Sequence, residues 1–150
     1  MLINKRTFAV GGTAALIAAT GFGGSTMVNA ADAPAPTMHM RFIAHSDRNI
    51  NFGRATFGGT EIDRRAGHRV GFDLISGKFD PATGTVTIDV AVARRGGLLY
   101  GKVHTVSATR YVGRVTGGSG RFKGASGTVT ARNLNQQGSR TRVVVTYTLP

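Results

Sequence analysis

The sequence predicts an all-β protein folded as a single closed antiparallel barrel of about eight strands. Three observations carry that expectation. From Thr37 onward apolar residues recur with a period of two, and no segment sustains a 3.6-residue period. Glycine, proline and aspartate punctuate the alternation at short intervals. Finally, Val115–Val129 packs five glycines around one aromatic, Phe122. Glycines at 117, 118 and 120 suit a sharp corner, and those at 124 and 127 suit a kink that bends a sheet closed.

The elements follow in order. Residues 1–30 read as a signal peptide, with Lys5-Arg6, an apolar run from Phe8 to Ala19, and Val28-Asn29-Ala30 as cleavage site. Lys5-Arg6-Thr7-Phe8 resembles a twin-arginine export signal with Lys in the first arginine place, and the Sec route stays open beside it. Glycines at 11, 12, 21, 23 and 24 break the run below a membrane span. The expectation is a secreted, extracellular protein with residues 31–37 as a short Pro/Ala tether and 38–150 as the barrel domain. No cysteine is present, which excludes disulfides and a lipid-anchored cysteine.

Met38, Met40, Phe42 and Ala44 alternate in a first strand, and Asn49–Phe57 forms a weaker second. Gly58-Gly59-Thr60 and Arg64–Gly67 read as loops. Val70, Phe72 and Leu74 mark the inward face of a third strand, and Asp80–Gly84 is a turn in which Pro81 presets φ. Val86, Ile88, Val90 and Val92 give the clearest strand. Further strands cover 98–108, 110–115, 127–134 and 140–149.

The formal charge is +12, from 15 Arg and 4 Lys against 7 acidic residues. A basic surface favours anionic partners. The charges are scattered along the chain, with no run beyond Arg64-Arg65 or Arg94-Arg95, and no helix is available to enter a groove, so no nucleic-acid role is expected. Gly96–Val103 approaches a phosphate-binding loop but lacks the final Ser or Thr and leads into a strand, so it is rejected. His39, His45, His68 and His104 have no metal-ligand spacing. No metal and no cofactor are expected.

One constellation bears chemistry. A hairpin pairing Phe79 with Thr85 places Asp73 opposite Ala91 and Ile75 opposite Asp89. Asp73 and Asp89 are then diagonal neighbours, roughly 7–8 Å apart at Cα. In an apolar lumen such a pair raises one pKa and makes a proton donor. The alternative is that both stand on the solvent face, balanced by arginines, because the apolar residues of both strands occupy the opposite face.

The corner Gly117-Gly118-Ser119-Gly120-Arg121-Phe122-Lys123-Gly124-Ala125-Ser126-Gly127 resembles the GGTGxFxxAxG or GGSGxFxGxxG corner of allene oxide cyclases and plant dirigent proteins. The resemblance extends from about Met38 to Leu149. It implies a barrel whose lumen holds one small hydrophobic molecule, with cofactor-free cyclisation (an isomerase) or stereocontrol of a coupling reaction, and possible assembly into a homotrimer. Ile43, Ile75, Val112 and Leu134 are the candidates for outward apolar contacts. Plant dirigent proteins carry Arg where this chain has Ser126. Their acidic residue at the end of the first strand resembles Asp47. Candidate catalytic residues are Asp73, Asp89, Asp47, Tyr111 and His104, with Tyr100 and Phe122 as candidate ligand contacts. Three classes stay open: a steering or cyclising barrel, a non-catalytic carrier, and a cell-surface interaction protein with a filled lumen.

Overall fold

In a computed structural model the described residues, 34–150, form eight antiparallel strands joined in chain order into a closed barrel. The strands are β1 (Met38–Asn51), β2 (Thr56–Arg65), β3 (His68–Asp80), β4 (Thr85–Arg94), β5 (Gly97–Ser107), β6 (Arg110–Gly118), β7 (Ser126–Asn133) and β8 (Arg140–Thr148). Closure comes from β1 pairing with β8. The expected signal peptide and the first three residues of the tether lie outside the described residues. Pro34–Thr37 is exposed and forms no strand.

The two ends of the barrel differ. One is capped by the β6–β7 corner, where Gly120–Phe122 makes a single 3-10 turn. Gly120 adopts φ 57°, and a side chain there would collide with the Gly96 carbonyl, so only glycine serves. The Arg121 amide donates to Gly96 O at 2.8 Å and the Ser119 amide to Leu98 O at 2.8 Å, fastening the corner to the β4–β5 turn. Phe122, 1% exposed, plugs this end and meets Tyr147 edge-on with ring centroids 5.9 Å apart. The other end carries the turns after β1, β3, β5 and β7 and is open.

Two expectations are corrected by the strand register. The segment 58–60 is not a loop but the middle of β2, and β1 continues to Asn51. Its glycines let the Phe52 ring lie against Gly58. In β3 the faces are reversed. Asp80 pairs with Thr85 and Phe79 with Val86, so Asp73 faces Val92 and Ile75 faces Val90. That is one residue from the expected pairing, and a one-residue slip turns every side chain to the other face. Val70, Phe72 and Leu74 are therefore outside and exposed, while Asp73 and Ile75 point inward. The turn itself is as expected: Gly84 has φ 69°, its amide donates to Asp80 O at 2.8 Å, and the Ala82 amide donates to the Asp80 carboxylate at 3.0 Å. That hydrogen bond, with a second from the Thr83 hydroxyl, holds the Asp80 carboxyl below its ordinary value.

Candidate active site

The lumen holds a cavity of about 470 Å³. Its wall is mainly aliphatic, from Ile75, Ile88, Val90, Val103, Val129 and Val145 among others. Period-two alternation on β3, β4, β5, β7 and β8 places these residues inward. The ionisable residues that line the cavity are Tyr100 of β5, Tyr111 of β6 and the β2–β3 carboxyls Glu61 and Asp73. The rim at the open end is polar, with Asn49 and Asn51 from β1 facing Gln137 and Ser139 from the β7–β8 loop. An apolar bore with few convergent polar groups is the usual form of a small-molecule site.

The carboxyls come from adjacent strands. Glu61 on β2 pairs directly with Asp73 on β3, and Asp63 pairs with Gly71. Glu61, Asp63 and Asp73 thus project inward from one stretch of the β2–β3 ladder. Arg94, at the end of β4, reaches past β3 and donates through Nη1 to Asp63 Oδ2 at 2.5 Å; the same Nη1 lies 4.0 Å from Asp73 Oδ1. Gly71 makes this reach possible, because a Cβ there would collide with the Arg94 guanidinium and the Ala93 carbonyl. The guanidinium also stacks over the Phe42 ring, 4.3 Å from its centroid.

Asp63 is fully buried and Asp73 is 2% exposed. Oδ1 of each, and Nη2 of Arg94, have no hydrogen-bond partner when both carboxyls are ionised. A proton on Asp73 lets its carboxyl hydrogen-bond to Asp63, and buried polar groups are normally satisfied. The electrostatics agree. Burial, then hydrogen bonding and repulsion from Asp63, push the Asp73 carboxyl up to about 9, with Arg94 opposing. Burial, followed by repulsion from Asp63, pushes Glu61 up to about 7. At neutral pH the inner wall therefore carries one carboxylic acid and one carboxyl balanced between its two forms. Among the described residues no group of carboxylates and histidines has the arrangement to hold a metal ion, and Arg94 supplies the countercharge instead.

Of the residues singled out from the sequence, Asp73, Tyr111 and Tyr100 line the lumen. Asp89 does not join Asp73. It lies on the outer surface opposite Ser76, with its side chain 64% exposed and 3.3 Å from Lys102 Nζ, because the slip in β3 put the two aspartates on opposite faces. Asp47 is exposed and accepts from the Thr60 hydroxyl at 3.2 Å. His104 is exposed on β5 between Thr87 and Val112. Tyr100 contributes to the cavity wall yet keeps 37% of its surface exposed. Phe122 does not line the cavity but seals the closed end. Glu61, Asp63 and Arg94 were missed, since the first two fall between segments read as loops. The available signal was Glu61-x-Asp63, two acids on one strand face in a chain with 7 acidic residues.

No family model matches the chain, and no curated protein does at a significant level. Solved structures do. A pterocarpan synthase dirigent protein, GePTS1, superposes with a TM-score of 0.66 at 11% identity, covering 88% of this chain and 100% of that one. The fold is the dirigent barrel. A second pterocarpan synthase dirigent protein, PsPTS1, gives 0.56 at 14% identity over 75% of this chain and 92% of its own. A pyocyanin demethylase gives 0.63 at 16% identity, over 74% of this chain and the whole of its own. At these identities the likeness concerns the dirigent-like architecture alone.

Proposed function

We propose that this dirigent-like barrel takes one small, largely apolar molecule through its polar rim and moves protons on it with Glu61 and Asp73. The observation that carries this reading is the open apolar cavity with two carboxyls of raised pKa on one wall. A protonated Asp73 gives a proton to one atom of the ligand while ionised Glu61 removes one from another. The net change in the ligand is an isomerisation; Glu61 then releases its proton to water and Asp73 takes one up, which restores both carboxyls, and no cofactor is called for. The aliphatic wall holds a flexible intermediate in one conformation, which is how such a site steers cyclisation or coupling. The neighbours' names are compatible with this: pterocarpans and pyocyanin are ring-fused aromatic compounds, so a ligand of that class is the first to try.

The test uses Nile red, a neutral apolar dye, titrated into the full chain at about pH 6 and pH 9. Saturable binding that weakens as the wall carboxyls ionise, and that a Val90→Trp substitution abolishes by filling the bore, supports the reading. Binding unchanged by Val90→Trp contradicts it. Binding that ignores pH, Glu61→Gln and Asp73→Asn alike leaves a carrier without proton chemistry.

Export and a homotrimer belong to the same proposal. Ile75 lines the lumen and takes no part in assembly; Val70, Phe72 and Leu74, 37–48% exposed on β3, offer the apolar outer face for a second copy. Sedimentation of Leu74→Lys against the unaltered chain tests this.

A further inference from the structure

The outer wall away from β3 has the opposite character. After Asp89 the sequence contains no Asp or Glu, against ten Lys or Arg. The barrel gathers three of these into one transverse row. Arg110 on β6 pairs with Arg132 on β7, and Arg132 pairs with Arg142 on β8. All three are exposed, and among the described residues none meets a carboxylate. They line a cleft of about 430 Å³ together with the hydroxyl residues Ser107, Thr109 and Thr130. In sequence they stand 22 and 10 residues apart, so the row exists only in the folded sheet.

Like charges directly opposite each other destabilise a sheet. Here two such pairs share Arg132, whereas the other Lys/Arg register partners, Arg64 with Arg69 and Lys102 with Arg114, stand as single pairs. Adjacent strands lie roughly 4.8 Å apart, which sets three guanidinium forks at a spacing suited to the oxygens of neighbouring phosphoryl groups. Hydroxyls at the edge supply further donors.

We propose that this cleft is a second binding site, separate from the lumen, for phosphoryl oxyanions carrying more than one charge. The anion bridges Arg110, Arg132 and Arg142 and relieves their repulsion. Because it lies on the outer wall, occupancy does not depend on Glu61 or Asp73.

Calorimetric titration of the full chain with inorganic pyrophosphate at low ionic strength is the test. The expected result is saturable binding that weakens steeply with added salt. Arg132→Gln should bind about tenfold more weakly, the loss of charge-assisted hydrogen bonds from one guanidinium. The same variant without anion should melt no lower than the unaltered chain, since it removes the central repulsion. Should it fail to fold, Arg110→Gln and Arg142→Gln carry the same expectation singly. Vesicles containing phosphatidic acid, whose phosphomonoester headgroup can carry two charges, with neutral phosphatidylcholine as control, tell a lipid headgroup from a free anion: Arg132-dependent binding to either probe supports the site. Absence of binding to both, or equal binding by the unaltered chain and all three variants, overturns it.

Discussion

Glu61 and Asp73 are register partners across the β2–β3 ladder, and both face the lumen. Two carboxyls directly opposite each other would repel if both were ionised. Their environment avoids this by keeping Asp73 protonated to about 9, while Arg94 serves Asp63 behind them. Environments that hold neighbouring titratable groups in different protonation states are the usual basis of acid and base roles.

The pH dependence of stability follows in sign. Asp73 rises from 3.8 to about 9 and Glu61 from 4.5 to about 7, so the folded chain binds protons more tightly than the unfolded one. Stability from these groups is complete below about pH 4 and is lost as pH rises, through about 7 for Glu61 and about 9 for Asp73. Thermal midpoints measured across that range should fall with increasing pH, and Asp73→Asn should flatten the upper part of the decline.

Gly71→Ala should destabilise the fold by about 1–3 kcal/mol, the usual cost of overpacking. The added methyl meets the Arg94 guanidinium and the Ala93 carbonyl, so the guanidinium must leave Asp63. Urea denaturation of the variant beside Gly67→Ala, where the added Cβ meets no other atom, separates this close approach from backbone strain alone.

Phe122→Ala should cost about 3–5 kcal/mol, the range for truncating a buried aromatic. The ring is 1% exposed and closes the blind end of the barrel against Tyr147. Denaturant unfolding measures the loss; a cost below about 1 kcal/mol would mean the corner is not part of the core.

Asp89→Asn should change stability by less than about 0.5 kcal/mol, because exposed ion pairs contribute little. Its partner Lys102 has a side chain that is 50% exposed. Dye binding by this variant should equal that of the unaltered chain.

Much of the barrel was legible in the sequence. Val86, Ile88, Val90 and Val92 announced β4 and its inward face, and Gly117–Gly127 marked the closing corner. The faces of β3 were not legible. Val70, Phe72 and Leu74 look like core residues, and only the four-residue loop after Asp80 reveals that they point out. Asp73 was singled out, but with Asp89 as its partner, because hairpin neighbours are easy to pair from sequence. Its actual partners, Glu61 and Asp63, precede it on β2 across a different turn, and Arg94 reaches the group only because Gly71 lacks a side chain. Such a contact depends on an absent atom, and no local pattern signals it.

Carboxyl-carbon NMR titration of Glu61 and Asp73, with and without Nile red, reads both protonation states and the ligand's contact with them in one experiment. Glu61 is expected to titrate near 7 and Asp73 near 9, with both signals shifting when the dye enters the lumen. Two carboxyls titrating near their ordinary values of 4.5 and 3.8, unmoved by the dye, would contradict that expectation.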